Sequence, residues 1–262
     1  SPGSEMYSVY PAGTTREQVS DAQVAMMRNS QTTSQVAALE YLGWDVPATI
    51  TIEGAVEGSN AEGKVEQGDI LRAITTPDGV RHEITSAATP FALMRSVPAG
   101  STMTLTVERG GTTQDISFDS VAASATESGS KLGVYLSADP VLPVDITVNI
   151  DGVGGPSAGM MFSLGIIDRL TPGDMTGGNV IAGTGTMSYD GQVGAIGGIQ
   201  QKLWGARRDG AQWFLAPSTN CDEVVGHVPD GLRVVSVSTL DEAVTAVHSI
   251  ADGTGDALPT CQ

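Results

Sequence analysis

Two polar side chains have neighbours that could turn them into a nucleophile and its base. Ser157 follows a glycine-rich turn, after an apolar run at 144–150 that predicts a strand, and it starts a helix predicted over Ser157–Leu170. Free N–H groups at a helix start can stabilise a developing anion. Lys202 lies in a second predicted helix, Ile199–Asp209, among apolar neighbours. Burial lowers the pKa of a lysine, and a neutral amine can activate a serine hydroxyl.

Each of these residues also has an ordinary structural explanation. Serine is a favoured residue at the N-terminal cap of a helix, so Ser157 alone is as well explained by capping. A lysine on an amphipathic helix commonly covers apolar surface with its stem while its amine reaches water, which explains Lys202 alone. The chemical interpretation therefore depends on finding both residues within one larger pattern.

Four segments, in order, form a pattern that resembles the proteolytic domain of the Lon peptidases over about Lys131–Ile250. They are Gly155-Pro156-Ser157-Ala158-Gly159, then Ala182-Gly183-Thr184-Gly185-Thr186 with Gly191-Gln192-Val193, then Gly197-Gly198-Ile199-Gln200-Gln201-Lys202-Leu203, and finally Ala216-Pro217-Ser218-Thr219-Asn220. The resemblance implies a Ser-Lys dyad with Ser157 as nucleophile, Lys202 as general base and Thr184 orienting the amine.

The same resemblance assigns the support of the oxyanion to the backbone around the serine. The candidates are Gly155, Ser157 and Ala158, together with Pro156, which lacks an N–H group and cannot donate. One position departs from the family pattern. Members with an attached ATPase usually carry an aspartate three residues before the serine, where this chain has Gly154.

A second resemblance covers about Tyr41–Phe118. The segment Gly58–Leu71 is similar to the most recognisable part of bacterial PDZ domains. The resemblance implies a carboxylate-binding loop at Tyr41-Leu42-Gly43-Trp44 and a groove-lining helix at Thr89–Arg95. PDZ domains bind peptides by adding a strand to a sheet edge. The alternative is a folded spacer with a degenerate groove.

Charge and composition exclude several functions. The chain of 262 residues has a net charge of −17, which argues against nucleic acid because phosphate binding depends on basic patches. Gly58 to Lys64 has the spacing of a phosphate-binding loop, but Val65 replaces the serine or threonine that coordinates magnesium, so we expect no nucleotide. The cysteines and histidines lack metal-ligand spacing, so we expect no metal and no cofactor.

Cys221 and Cys261 are the two cysteines of the chain. In an oxidising compartment a disulfide between them would attach the C-terminal segment at 251–262 to the domain. The alternative is two unrelated thiols in a reducing compartment.

The element pattern predicts an α+β protein made of an N-terminal helical segment, a PDZ-like β-rich domain and an α/β Lon-type proteolytic domain. The expected boundaries are 1–40 for the helical segment, 41–123 for the PDZ domain, 124–130 for a linker and 131–262 for the proteolytic domain. Residues 1–4 resemble the remnant of an expression tag. A helix is predicted over Arg16–Leu42, with a possible break at Thr32–Ser34, and its packing on the proteolytic domain would make the PDZ segment an insertion.

The expected function is an ATP-independent serine endopeptidase that cleaves unfolded or flexible proteins, with the PDZ domain selecting them. Two alternatives remain open. One is a PDZ-bearing scaffold whose peptidase fold is inactive. The other is a Ser-His esterase that uses His227 or His248, because Gly155–Gly159 also fits the nucleophile elbow of α/β-hydrolases. The resemblance further implies an extracytoplasmic, membrane-associated protein, anchored by an N-terminal helix outside this sequence, and a homo-oligomer.

Overall fold

A computed structural model of the protein describes residues 30–125, 127–146 and 155–262. The chain divides into two units, each described by itself below. Of the described residues, 36–125, 127–146 and 188–192 form the antiparallel-sheet unit, and 30–35, 155–187 and 193–262 form the Ser157 unit. The mixture of sheets and helices confirms the predicted α+β class.

Residues 30–41 form helix α1, and the division between the units falls within it. The helix continues through Thr32–Ser34, so the expected break there is wrong. Residues 16–29 of the predicted helix lie outside the described residues. At the start of α1, in the part that belongs to the Ser157 unit, the carbonyl of Ser34 accepts a hydrogen bond from the buried Ser163 hydroxyl at 2.9 Å.

The antiparallel-sheet unit is built on six strands that run in the order β5-β4-β2-β1-β8, with β3 paired to β2. Its elements are β1 Ala48–Ala55, β2 Asp69–Thr75, β3 Arg81–Glu83, α2 Ala88–Met94, β4 Thr102–Arg109, β5 Thr112–Asp119, the short pair β6 Val121–Ala122 and β7 Ser130–Lys131, and β8 Val134–Pro140. Met103, Leu105 and Val107 recur at every second position of β4 and are fully buried. The sheet therefore presents one apolar face to its core.

Two adjacent glycines form the turn between β4 and β5. Gly110 and Gly111 both have positive φ, +57° and +81°, and Arg109 pairs with Thr112 across them. Two central residues with positive φ are characteristic of the two-residue hairpin turn that matches the twist of the strands.

The expected domain boundary at residue 131 differs from the structure. Strand β8 pairs along β1, from Ala48 opposite Pro140 to Ala55 opposite Val134. Its alternate residues pack against the core of the antiparallel-sheet unit. The predicted linker at 124–130 leads into this strand, and β6 and β7 pair on either side of it. The small residues there form a turn within one unit, because the strand that follows finds its partner about 80 residues earlier in the chain.

The Ser157 unit is built on a parallel sheet in the order β13-β12-β9 and a separate hairpin, β10-β11. Its elements are α3 Gly159–Leu170, β9 Ile181–Gly183, β10 Thr186–Met187, β11 Val193–Gly194, α4 Ile199–Arg208, β12 Trp213–Pro217, α5 Cys221–Val224, β13 Arg233–Val237 and α6 Leu240–Ala251. All five residues of β12 are buried, as expected for a parallel strand covered on both faces. Helix α6 is capped at its start by Thr239, whose hydroxyl accepts a hydrogen bond from the Glu242 N–H.

Within the described ranges, no helix combines the length and the apolar character needed to cross a membrane.

Candidate active site

Ser157 sits in a tight turn at the entrance to α3. Gly155 has φ +85° and ψ 179°, a conformation that L side chains rarely adopt, so the glycine is required by the backbone path. Pro156 then opens a short 3-10 helix, Pro156–Ala158, which runs directly into α3. Proline suits this position because its fixed φ is helical and its missing N–H has no partner there anyway. Ser157 is held half-buried at the first turn of the helix.

Thr184 comes next to the serine because it follows the carboxyl end of β9. Its side chain is 3% exposed, and its backbone N–H donates to the Leu215 carbonyl of β12 at 3.1 Å. The Thr184 hydroxyl donates to the Ser157 carbonyl at 3.1 Å, and the Gly185 N–H donates to the same oxygen at 2.9 Å. The backbone of the serine is thus tied to the end of the sheet by two donors.

Lys202 reaches the same place from the first turn of α4. Ile199 and Leu203 on this helix are fully buried against Phe214, which fixes the face that the helix presents. The Lys202 amine donates to the Thr184 hydroxyl at 3.2 Å. Burial lowers the pKa of the Lys202 amine from its ordinary value. None of the carboxylates in the described ranges forms an ion pair with it, so nothing offsets this effect.

One chain of hydrogen bonds therefore joins the three predicted catalytic residues, from Lys202 through Thr184 to the Ser157 backbone. No hydrogen bond joins the Ser157 hydroxyl directly to the Lys202 amine, both of which the structure describes. Catalytic hydrogen bonds are often long before substrate binds and tighten in the complex. The arrangement has the parts of a nucleophile system: a hydroxyl at a helix start, a half-buried amine and a hydroxyl that holds the amine.

The candidate oxyanion donors lie at the same turn. The Ala158 N–H donates to the Gly155 carbonyl at 3.3 Å, whereas the Ser157 N–H belongs to the first turn, where a helix offers no internal acceptor. Gly154, at the position where members with an attached ATPase usually carry an aspartate, lies outside the described residues.

The two histidines considered for an esterase are exposed. His227 follows α5 and His248 lies on α6, and neither hydrogen-bonds to Ser157. Among the described residues, no group of three or more histidine, cysteine, aspartate or glutamate side chains is arranged to hold a metal ion.

Cys221 and Cys261 form a disulfide, with Cα atoms 4.9 Å apart and a separation of 40 positions in sequence. The bond joins the start of α5 to the C-terminal segment, as the sequence interpretation suggests. Cys261 also packs against the apolar cluster that contains Ile199 and Leu203 of α4.

The predicted peptide-binding loop, Leu42-Gly43-Trp44, ends helix α1. Gly43, with φ +88°, donates its N–H to the Glu40 carbonyl, and Trp44 donates to the Leu39 carbonyl. These bonds cap the helix in the way that glycine commonly does. The groove beside α2 has other walls, the strand β8 and the segment at 127–133, which the sequence interpretation did not assign to it.

Sequence reasoning also missed the role of Asn220 in holding the helix that carries Lys202. Its carboxamide makes two hydrogen bonds to the backbone of Ile196, just before α4. The signal was present, because Asn220 ends the Pro-x-x-Asn segment, but the segment alone does not show what the side chain contacts.

Comparison with known families agrees with this geometry. Residues 98–249, more than half of the chain, match the model of the Lon protease (S16) C-terminal proteolytic domain. The chain belongs to the Lon protease family. Membership implies a serine peptidase, and the matched range includes Ser157, Thr184 and Lys202.

Among its relatives, the Lon protease 2 of Bacillus subtilis (strain 168) is 32% identical over 108 residues, which is 39% of this chain and 19% of the relative. The Lon protease 2 of Herpetosiphon aurantiacus is 31% identical over 153 residues, 56% of this chain and 18% of the relative. The Lon protease of Haemophilus influenzae is 31% identical over 143 residues, 51% of this chain and 17% of the relative. The chain thus matches less than a fifth of the length of each of these proteins.

Proposed function

We propose that this Lon-family protein is a serine endopeptidase that uses a Ser157–Lys202 dyad and needs no ATP. The observation that carries the proposal is the chain of hydrogen bonds from the Lys202 amine through Thr184 to the Ser157 backbone. It brings a half-buried amine, with a lowered pKa and no carboxylate partner among the described residues, to the serine at the start of α3.

In the proposed mechanism the neutral Lys202 amine removes the proton of the Ser157 hydroxyl as its oxygen attacks the carbonyl carbon of the scissile bond. The resulting oxyanion is bound by backbone N–H groups of the Ser157 turn, with that of Ser157 itself as the first candidate. Lys202 then gives its proton to the leaving amine, which departs and leaves an acyl-enzyme. A water molecule, deprotonated by Lys202, attacks this ester and releases the second product and the serine.

Thr184 has a positioning part in this scheme. Its hydroxyl accepts a hydrogen bond from the Lys202 amine and donates one to the Ser157 carbonyl. One amine hydrogen is therefore held by Thr184, and the nitrogen lone pair stays free to accept the proton of the Ser157 hydroxyl. A lysine stem with several rotatable bonds loses much freedom when its amine is held in this way. The hydroxyl therefore orders the base before substrate binds.

Independence from ATP is part of the proposal, and it is compatible with the chemistry of the site, since hydrolysis there needs only a hydroxyl, an amine and water. The resemblance of Gly58–Lys64 to a phosphate loop has no support in the structure, since the Lys64 amine donates to the Ser117 carbonyl. Because the proposed peptidase works without ATP-driven unfolding, we expect its substrates to be unfolded chains, exposed tails and flexible segments.

The direct test is cleavage of casein, an unfolded protein, without nucleotide. Wild type is expected to cleave it, while Ser157→Ala and Lys202→Met are expected to be inactive with unchanged circular dichroism. Methionine is the chosen replacement because it keeps an unbranched stem of similar length without the amine. Nucleotide-dependent cleavage by wild type would contradict independence from ATP, and full activity of either variant would contradict the dyad.

We further propose that the antiparallel-sheet unit is a PDZ-like module that selects these substrates. Support comes from a groove of about 300 Å³ between α2 and β8. Strand β8 ends the sheet order, so no other described strand occupies its outer edge. Phe91 and Met94 of α2 and Leu136 of β8 line the groove with apolar surface. An extended substrate segment can pair with the free edge of β8 and place apolar side chains in the groove.

Phe91→Ala tests the groove, and Val80→Ala, which shortens an exposed apolar side chain elsewhere in the same unit, is its control. Phe91→Ala is expected to raise KM for casein severalfold while leaving kcat/KM for a short fluorogenic peptide unchanged. An equal effect of both variants, or an equal effect on both substrates, would contradict a role of the groove in selection.

Localisation and assembly complete the proposal. The Cys221–Cys261 disulfide supports an extracytoplasmic setting, because disulfides persist in oxidising compartments. Membrane association and a homo-oligomer are proposed on the family resemblance. Mass measurement in solution tests the oligomer, and fractionation of cells tests the location.

A further inference from the structure

Asn220 is a buried polar residue whose side-chain oxygen and nitrogen both hydrogen-bond to the backbone of a single residue, Ile196. It is 2% exposed and ends the 3-10 turn Ser218–Asn220 that follows β12. Its Oδ1 accepts from the Ile196 N–H at 3.0 Å, and its Nδ2 donates to the Ile196 carbonyl at 2.9 Å. A buried amide is costly unless it is hydrogen-bonded, so these bonds hold both groups in place.

Ile196, which Asn220 holds by these two bonds, lies just before the helix that carries Lys202. Two glycines, Gly197 and Gly198, separate Ile196 from α4, and Gly198 has φ +70°. An added Cβ at Gly197 would contact nothing within 4 Å, so no neighbouring side chain restrains this turn there. A pair of glycines gives the backbone wide conformational freedom. The direction in which α4 starts must therefore be fixed by contacts made outside the Gly197-Gly198 turn.

Strand β12 holds both partners of the Lys202–Thr184 hydrogen bond in place. Thr184 is tied to β12 by its N–H, which donates to Leu215. The entrance to α4 is tied to the end of β12 by Asn220, three residues after Pro217. Lys202 itself donates its backbone N–H to the Gly198 carbonyl at 3.3 Å, so its position follows the glycine turn.

We propose that Asn220 is a positioning residue of the active site, which clamps Ile196 and thereby places the Lys202 amine on the Thr184 hydroxyl. The inference rests on the proposed role of Lys202 as general base. It predicts more than a contribution to stability, because release of the clamp moves the base relative to the nucleophile while the apolar anchors of α4, Ile199 and Leu203, keep the helix folded.

The experiment measures the titration of Lys202 directly. The chain has three lysines, Lys64, Lys131 and Lys202, so protein labelled with ¹³C at lysine Cε gives three signals, assigned by Lys64→Arg and Lys131→Arg. In wild type the Lys202 signal is expected to titrate below the ordinary lysine range. In Asn220→Ala it is expected to move up toward that range, because the amine leaves its half-buried place. The value of kcat/KM is expected to fall roughly ten- to a hundredfold, as for other misplaced catalytic groups.

Ser218→Ala is the matched control. It removes the hydroxyl that pairs with Ser238 from the same 3-10 turn and leaves the contacts of Ile196 intact. It is expected to leave the Lys202 titration unchanged and kcat/KM within about twofold of wild type, since the one hydrogen bond that it breaks involves neither Ile196 nor Lys202. If Asn220→Ala does not fold, Asn220→Ser, which adds no charge and is too short to make both bonds to Ile196, is expected to shift the titration and lower kcat/KM in the same directions.

The inference is overturned if a folded Asn220 variant keeps both the wild-type titration and the wild-type kcat/KM. It is also overturned if activity falls only in proportion to the folded fraction while the Lys202 signal stays in place. A wild type that cleaves no substrate would contradict the proposed function. The inference about Asn220 would then still be decided by the Lys202 titration.

Discussion

Replacing Thr184 by valine removes one hydroxyl from the centre of the site and keeps the shape of the side chain. The hydroxyl accepts from the Lys202 amine at 3.2 Å and donates to the Ser157 carbonyl at 3.1 Å. As Lys202 takes the serine proton it becomes an ammonium, and a hydrogen bond to a charged group contributes about 1.5–3 kcal/mol. Because every 1.36 kcal/mol changes a rate tenfold, we expect kcat to fall roughly ten- to a hundredfold.

The same change has a small effect on stability. The Ser157 carbonyl keeps the Gly185 N–H as a donor at 2.9 Å, so no buried acceptor is left unpaired. The loss is therefore expected to be about 1 kcal/mol of the free energy of unfolding, the ordinary net contribution of one hydrogen bond. KM for a short fluorogenic peptide is expected to stay near its wild-type value, since Thr184 acts on the base.

The assay compares kcat and KM of wild type, Thr184→Val and Thr184→Ser on that peptide, with urea unfolding for each protein. Serine keeps the hydroxyl, and Thr184→Ser is expected to retain activity within about threefold of wild type. If Thr184→Val is folded and also stays within threefold, the Thr184 hydroxyl does not orient Lys202, and the reasoning is refuted.

Three further outcomes are expected. Reduction of the Cys221–Cys261 disulfide, which closes a 40-residue separation, should lower the free energy of unfolding by about 4 kcal/mol on a chain-entropy basis, and an unchanged melting temperature after reduction would contradict this. The pKa of the buried Asp69 is lowered by its hydrogen bonds to Arg109, so its contribution to stability is present above the unfolded pKa of about 3.9 and is lost as the pH falls through the folded value. Asp69→Asn should therefore cost about 2 kcal/mol at pH 7 by urea unfolding, with a smaller cost toward pH 2, and a pH-independent cost would contradict the assignment. Since Lys202 must be neutral to accept a proton, kcat/KM should rise with pH through its lowered pKa, and a rate that falls as the pH rises across that range would contradict its role as base.

Much of the site could be predicted from the sequence because its parts are local. Neighbouring residues are enough to predict the glycine-proline turn before Ser157. They are also enough to predict the helices that carry Ser157 and Lys202, through the spacing of their apolar residues. The contact between Thr184 and the Lys202 amine is implied by the family pattern alone, and the bond from Thr184 to the Ser157 carbonyl is not implied at all, since residues 157, 184 and 202 meet only in the folded chain.

The parts that sequence reasoning missed depend on distant partners. The sequence interpretation places strand β8 in the proteolytic domain, because the residues at 134–140 do not indicate that the strand pairs with β1. The peptide-binding role of Leu42-Gly43-Trp44 stays a prediction, and the structure adds that its glycine ends helix α1. The contact between Asn220 and Ile196 spans 24 residues and involves backbone groups, which carry no signal in the side-chain sequence.

The most direct test of the central claim is to trap the acyl-enzyme. Protein mixed with a chromogenic peptide ester is quenched in acid, and intact mass and peptide mapping locate the acyl group. The account predicts one acyl group per chain, on Ser157, with none in Ser157→Ala and a rate at least about a hundredfold lower in Lys202→Met. An acyl group on another residue, or Lys202→Met acylated at the wild-type rate while a change at His227 abolishes the reaction, would contradict it.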